Sequence, residues 1–311
     1  MKEPAVAVIG IGATGAVVAA SLLARDPETM LVVRRAEQRD EIRKNGITIT
    51  GEFDCHVQVK NLFDNVSQIK ELNPDFIFIC TKTFHLLPVL DSLREVAGPQ
   101  TGIVSAHNGL GTEDVIAGLF GAQRAFRMSL NFGASLKGAC AAHVNFFNRP
   151  NHLGALAPEN REMGLRAAEL FSKGGLDTQF VEDIKLQVWK KMILKCTMAS
   201  ICAVTNKTIR EALELAATRE IAEGCFAEIL AVAKARGYDL GENYLTQAMA
   251  YLEKVGVHKD SMCVDIANRT QTEIDFLGGK VVEYGRQAGI PTPYYVTMTN
   301  LVRAMEHDYL R

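Results

Sequence analysis

Gly10-Ile11-Gly12-Ala13-Thr14-Gly15 spaces three glycines as G-x-G-x-x-G. The motif follows an apolar run, Ala5 to Ile9, that reads as a buried strand. It opens a helical pattern with Val17, Val18, Leu22 and Leu23 on one stripe. That strand–turn–helix context is what gives the spacing its meaning. Gly10 then permits a tight turn, Gly12 lets the backbone approach a pyrophosphate, and Gly15 lets helix and strand pack closely. The first-turn N–H groups, including those of Ala13 and Thr14, face the phosphates. The bland alternative is a glycine turn in an α/β domain that binds nothing. After a second apolar run, Met30 to Val33, come Arg34 and Arg35. An NAD site usually carries a carboxylate there for the ribose 2′-OH. Two guanidiniums predict NADP(H) instead, since arginine grips a 2′-phosphate as a bidentate fork. Arg34 is the better contact, and one of the pair reads as an ordinary surface residue.

These residues must be held by elements, and the first part of the chain alternates between two patterns. Buried strands are expected at 5–9, 30–33, 76–80 and 102–106, with helices at 14–24, 36–44, 85–96 and 112–119. Short buried strands alternating with helices predict a doubly wound parallel sheet of Rossmann type. From 125 to 156 the pattern alternates in places and predicts antiparallel strands closing the edge of that sheet. A helix over 161–172 and a last strand over 178–181 follow. Beyond about 182 the strand signals fade, and helices are expected at 184–202, 211–236, 242–254, 262–268, 273–288 and 294–307. The expected organisation is an α/β fold of two domains, 1–182 for dinucleotide binding and 183–311, all-helical, for substrate and catalysis.

Composition narrows the class. A chain of 311 residues is long enough for about two domains. Hydrophobic residues are 48% and charged residues 23%, with a net charge of −2. That excludes a disordered or collagen-like chain and offers no global basic field for nucleic acid. The seven cysteines form no C-x-x-C pair and read as reduced thiols of a cytoplasmic protein. The seven histidines show no metal-ligand spacing, so no metal is expected. No segment has the length and hydrophobicity of a signal peptide core or a membrane span.

Several further clusters carry polar chemistry: Cys80-Thr81-Lys82, His107-Asn108-Gly109-Leu110-Gly111, Trp189-Lys190-Lys191, Ser261-Met262, Thr272-Glu273-Ile274-Asp275 and Gly289-Ile290-Pro291-Thr292-Pro293. With the glycine loop, their order and spacing across essentially the whole chain resemble the ketopantoate reductase (2-dehydropantoate 2-reductase) family. The resemblance implies a Rossmann domain and a helical domain with substrate in the cleft between them. It implies reduction of a 2-keto acid by NADPH, ketopantoate to pantoate in pantothenate biosynthesis. The family's general-acid lysine falls on Lys191 and its substrate-contacting carboxylate on Glu273. Its substrate serine falls on Ser261, its asparagine on Asn108, and its lysine near the cofactor on Lys82.

The chemistry asks for these residue types independently. Hydride addition to a ketone builds negative charge on oxygen, which a nearby ammonium can stabilise and protonate. A carboxylate can orient that lysine, and a serine hydroxyl suits a substrate carboxylate. Each residue also has a plain structural reading: Lys191 as a solvated helix lysine, Glu273 in a capping box with Thr270, Ser261 as the N-cap of a helix from Met262, and Asn108-Gly109 as a turn.

The sequence departs from the family where substrate is recognised. Asparagines expected four and eight residues after the catalytic lysine are Lys195 and Ala199, and a third polar position is His258. These changes leave a 2-keto acid as the substrate and put ketopantoate itself in question, with another branched or dicarboxylic keto acid as the alternative. Lys195 shares a helix face with Lys191. It either pairs with an extra acidic group on the substrate or points to solvent. A nucleotide-sensing protein without catalysis is the reading from a different class. The oligomeric state stays open, with a homodimer among the expectations.

Overall fold

Four apolar runs, VAVI, MLV, FIFI and GIVS, are buried along their whole length and form the middle of one sheet. Burial on both faces is what a parallel sheet flanked by helices requires. The computed structural model describes residues 3–310. In chain order it runs β1 (Val6–Ile9), α1 (Ala13–Arg25), β2 (Met30–Val32), α2 (Ala36–Asn45), β3 (Ile47–Gly51), β4 (Cys55–Val57), β5 (Asn61–Phe63), β6 (Phe76–Ile79), α3 (Leu86–Leu93), β7 (Gly102–Ser105), α4 (Thr112–Phe120), β8 (Ala125–Ser129), β9 (Phe132–Leu136), β10 (Ala141–Phe147), β11 (Asn151–Ala155), α5 (Arg161–Lys173) and β12 (Thr178–Phe180). Only helices follow among the described residues: α6 (Ile184–Thr205), α7 (Ile209–Glu214), α8 (Ala216–Ala235), α9 (Tyr244–Val255), α10 (Ser261–Ala267), α11 (Gly278–Ala288) and α12 (Pro293–His307).

Spatial contacts divide the chain into two units. Unit 1 takes residues to His107 and Thr112–Ile184, while unit 2 takes Asn108–Gly111 and the chain from Lys185. In unit 1 the main sheet has the order β12-β11-β8-β7-β6-β1-β2-β5. Every pairing in it is parallel except β11 with β8. Phe78 packs edge-on against Phe171 of α5, and α1 buries Val17, Val18 and Leu22. A fully buried side chain of this size contributes about 1.5–3 kcal/mol.

The structure corrects the expected edge of the sheet. Of the strands between 125 and 156, only β8 and β11 join it. β9 and β10 instead build a second sheet with β3 and β4, in the order β4-β3-β10-β9. Residues 47–57 carried no strand expectation: β3 shows only a four-residue Ile-Thr alternation with both isoleucines buried, and β4 is three partly exposed residues.

In unit 2 the single helix expected over 211–236 is two. Leu215 is extended (φ −84°, ψ 124°) between α7 and α8. Thr208 starts α7 through a capping box with Glu211, so Glu211 is the third residue of a helix and not its beginning. The helix expected from Glu273 begins instead as a short 3-10 turn, Ile274–Phe276, before α11.

Candidate functional site

The glycine loop lies between β1 and α1 of unit 1. Gly10 has φ +90°, the left-handed region where a Cβ is strained, and a Cβ there would crowd Thr81. A Cβ on Gly15 would collide with the Gly10 carbonyl, so this glycine sets the helix–strand approach. At Gly12 a Cβ would meet nothing within 4 Å, so the loop is open there. Gly12 is the N-cap of α1 and makes no side-chain cap, which leaves the first-turn N–H groups of Ala13 and its neighbours without a side-chain partner from the cap. Open space over amide donors at a helix N-terminus fits a pyrophosphate.

The backbone at the end of β2 is pinned by Arg39, which donates to the carbonyls of Val33 at 2.9 Å and Arg34 at 2.6 Å. Arg35 donates to Gln38 Oε1 at 3.1 Å. Gln38 is buried and donates in turn to the Ile11 carbonyl within the loop at 2.6 Å. The Arg34 side chain is exposed and makes no hydrogen bond or ion pair among the described residues. Its charge reaches His85, whose pKa burial lowers first and Arg34 lowers further. Lys82 is half-buried at the start of the 3-10 turn Thr83–His85 that follows β6.

A buried polar network fixes the end of β7. Arg127 is 1% exposed and donates to Ser105 Oγ at 2.6 Å, to Thr112 Oγ1, and to the His107 carbonyl at 2.7 Å. Glu113 stands 3.7 Å from its Nε. His107 Nδ1 lies 2.9 Å from Ser105 Oγ and Nε2 lies 3.3 Å from Thr81 Oγ1. Burial, helped by the Arg127 charge, pushes the His107 pKa down to about 3. The chain immediately before Asn108 is therefore anchored by a charge-assisted bond.

In unit 2 the Asn108–Gly111 segment is tied to the turn after Glu273, since Leu110 N–H donates to the Phe276 carbonyl at 2.8 Å. Lys191, on α6, donates from Nζ to Asn108 Oδ1 at 2.6 Å. Trp189 is buried on the same helix and stacks on Tyr238 with centroids 5.8 Å apart. One turn beyond Lys191, Lys195 donates to Asp260 Oδ1 at 2.8 Å, to Asp260 Oδ2 at 2.6 Å and to Ser261 Oγ at 2.8 Å. Burial alone would lower the Lys195 pKa. The charge and hydrogen bond of Asp260, with the charges of Glu273 and Asp265, outweigh it and leave the pKa raised. Lys195 is thus neither a solvent lysine nor an ammonium waiting for a substrate carboxylate, and both sequence expectations for it give way to an internal ion pair.

Two further readings change. Asp260, not Ser261, caps α10 by accepting from Met262 N–H at 2.9 Å. The Ser261 hydroxyl is left for other work. Glu273 makes no side-chain cap, and it is Thr272 Oγ1 that accepts from Ile274 N–H. The capping box from Thr270 does not form. Ala199 is fully buried in α6, and His258 is exposed. Asp260, Gln38 and Arg127 went unread in the sequence. The signal for Asp260 was an acidic residue directly before a helix, and for Arg127 a lone charge in an apolar strand. A cavity of about 540 Å³ beside α11 and α12, lined by Asp275, Arg286 and Arg303 among others, includes none of the candidate residues.

The family model of ketopantoate reductase PanE/ApbA matches residues 6–158, and that of the ketopantoate reductase PanE/ApbA C terminal matches residues 183–306. The 2-dehydropantoate 2-reductase of Streptococcus pyogenes serotype M18 (strain MGAS8232) is 29% identical over 301 residues, covering 96% of this chain and 97% of that one. Among solved structures, D-mandelate dehydrogenase with NADH and anilino(oxo)acetate aligns with a TM-score of 0.87 at 23% identity, over 98% of this chain and 99% of that one. A PanE/ApbA family ketopantoate reductase from Ralstonia eutropha JMP134 aligns with a TM-score of 0.87 at 22% identity, with the same coverage. Fold and family matches together define the class, pyridine-nucleotide-dependent oxidoreductases that act on 2-keto acids. The chain belongs to the ketopantoate reductase family. Among the described residues no helix is long and apolar enough to cross a membrane.

Proposed function

We propose that this protein reduces a 2-keto acid to a 2-hydroxy acid with NADPH, and that 2-dehydropantoate, the precursor of pantoate in pantothenate biosynthesis, is the first substrate to test. The observation that carries the reading is the Lys191 ammonium, half-buried and held 2.6 Å from Asn108 Oδ1. A bound reduced nicotinamide would supply hydride to the carbonyl carbon. Negative charge then grows on the carbonyl oxygen, and Lys191 stabilises it and transfers a proton to it. The neutral amine left behind is reprotonated from solvent. Asn108 orients the ammonium by accepting a hydrogen bond from it. Glu273 bonds or orients on the other side of the chemistry, and Ser261 binds the substrate carboxylate.

In this reading residues 1–182 hold NADP and residues 183–311 carry substrate recognition and catalysis. Gly10, Gly12, Ala13, Thr14 and Gly15 cradle the pyrophosphate, with Lys82 and Asn108 alongside the cofactor. Arg34, exposed and uncommitted to protein partners, is a better 2′-phosphate ligand than Arg35, which is engaged by Gln38. A second reading is the same reduction of a different 2-keto acid. The Lys195–Asp260 pair and the buried Ala199, standing where the family carries asparagines, favour it. The test is NADPH oxidation across ketopantoate, 2-ketoisovalerate and oxaloacetate. Turnover of at least one acid is expected. Tight NADPH binding with no turnover of any would leave a nucleotide sensor instead.

A further inference from the structure

Lys195 sits one helical turn from Lys191, yet all its bonding capacity is committed inside the protein. An ammonium has three N–H donors and no acceptor. Lys195 faces three acceptors, the two carboxylate oxygens of Asp260 and the hydroxyl oxygen of Ser261. Asp260 is itself fixed, because Oδ1 also accepts from the Met262 N–H at the start of α10. The Lys195 and Asp260 side chains are only 17% and 8% exposed. Ser261, by contrast, is exposed. Its oxygen accepts from Lys195, and Lys195 offers no lone pair in return. The hydroxyl proton of Ser261 must therefore point away from the pair. The cation also polarises that hydroxyl and makes it a stronger donor.

We propose that Lys195 is a positioning residue, which Asp260 clamps so that the Ser261 hydroxyl is committed to donating a hydrogen bond to the substrate carboxylate. This rests on the 2-keto acid reductase reading. It also gives the lysine a role that an asparagine at the same place would fill less strictly, since an amide can donate or accept. With three acceptors already facing its three donors, Lys195 has none left for a second acidic group, so a dicarboxylic keto acid gains nothing from it.

The experiment compares Lys195→Met, which removes the donor to Ser261, with Lys195→Gln, which breaks the same ion pair but retains an N–H donor. Steady-state rates are measured with NADPH and the monocarboxylic keto acid that the parent protein reduces best. Lys195→Met should raise KM about tenfold, the scale of one charge-assisted hydrogen bond, with kcat within about threefold. Lys195→Gln should recover most of that loss. In a Ser261→Ala background Lys195→Met should change KM by less than about twofold, because the two act as one unit. If Lys195→Met does not fold, Asp260→Asn serves in its place. It preserves a residue able to cap α10 and releases the clamp, and the same KM rise is expected. Equal KM values for the Gln and Met variants, or additive effects with Ser261→Ala, would mean that the ion pair merely stabilises the fold, and would overturn the proposal. A parent that reduces a keto acid while KM stays unmoved in every variant sinks the proposal alone. A parent that reduces no 2-keto acid takes the reductase reading down, and the proposal with it.

Discussion

The glycine loop of unit 1 and the lysine cluster of unit 2 prepare for charge in opposite ways. The loop does it with backbone, from six consecutive residues, and leaves its donors facing open space at Gly12. The cluster does it with side chains brought from far apart in sequence, Lys191 and Asn108 by 83 positions and Lys195 and Asp260 by 65. In the proposed reading the loop is open to an anion brought by the cofactor. In the cluster the Lys195 ammonium is paired with Asp260, and the Lys191 ammonium donates to the Asn108 amide oxygen. The contrast assigns different jobs to two lysines one turn apart: Lys191 reaches Asn108, on the segment that follows β7, whereas Lys195 is bound into an ion pair with Asp260. Removing one member of a buried ion pair leaves the other uncompensated, which is costly.

The largest effect that can test this division belongs to Lys191. Lys191→Ala should lower kcat about 10² to 10⁴-fold, the range for a lost general acid. NADPH affinity should stay within about twofold, since the loop, not the lysine, holds the dinucleotide in this account. A kcat near the parent's would return Lys191 to the status of an ordinary helix lysine and erase the contrast.

On the loop side the next effect is at Arg34. Arg34→Asp replaces an uncommitted guanidinium with a charge that repels a 2′-phosphate. NADPH affinity should fall about 10 to 100-fold relative to NADH, the loss of one or more bonds to a charged group. Equal affinities of the parent for the two cofactors would remove the premise. The glycines then separate binding from folding. Gly12→Ala adds a Cβ where nothing stands within 4 Å, so the melting temperature should hold while dinucleotide affinity drops about tenfold. Gly15→Ala puts a Cβ onto the Gly10 carbonyl and should lower both. If thermal melts show Gly12→Ala to be as unstable as Gly15→Ala, the loop is structural rather than poised for a ligand.

The same contrast explains what was legible in the sequence. The loop, the central strands and α1 could be read because each is specified within a short window, by an apolar run, a glycine spacing or a helical stripe. β3 and β4 were harder: the Ile47–Thr50 alternation is only four residues long, β4 has three partly exposed residues, and the pairing of β3 with β10 is set by contacts nearly a hundred residues away. The Leu215 break was hidden for a related reason. Residues 209–235 are mostly good helix formers on both sides of the break, and the Thr208–Glu211 capping box marks the true start. In the site, the resemblance singled out Lys191, Asn108, Ser261 and Glu273. It could not provide Asp260, whose role comes from a partner lysine that the family pattern does not have. Ser261 read as a cap because serine before a helix usually is one, and the aspartate one residue earlier took that position.

The last effect concerns His107, at the end of β7 in unit 1, where the chain is about to pass to Asn108. Its imidazole is enclosed by Ser105, Thr81 and the Arg127 guanidinium, and the folded protein holds it neutral down to about pH 3 against an ordinary value of 6.5. Between those two values the unfolded chain binds a proton that the folded protein refuses. Stability from this residue is therefore complete above about pH 6.5 and declines as the pH falls through the window. One proton changes the unfolding free energy by at most about 1.4 kcal/mol per pH unit. Urea unfolding at pH 7 and pH 5 measures the decline directly. His107→Gln retains groups able to meet Ser105 and Thr81 but does not titrate, so its loss between the two pH values should be smaller than the parent's by about 2 kcal/mol. The variant's lower baseline at pH 7 cancels in that difference. An identical loss in both proteins would mean that the folded state takes up the proton as readily as the unfolded chain, and that burial, helped by the Arg127 charge, does not hold the His107 pKa down.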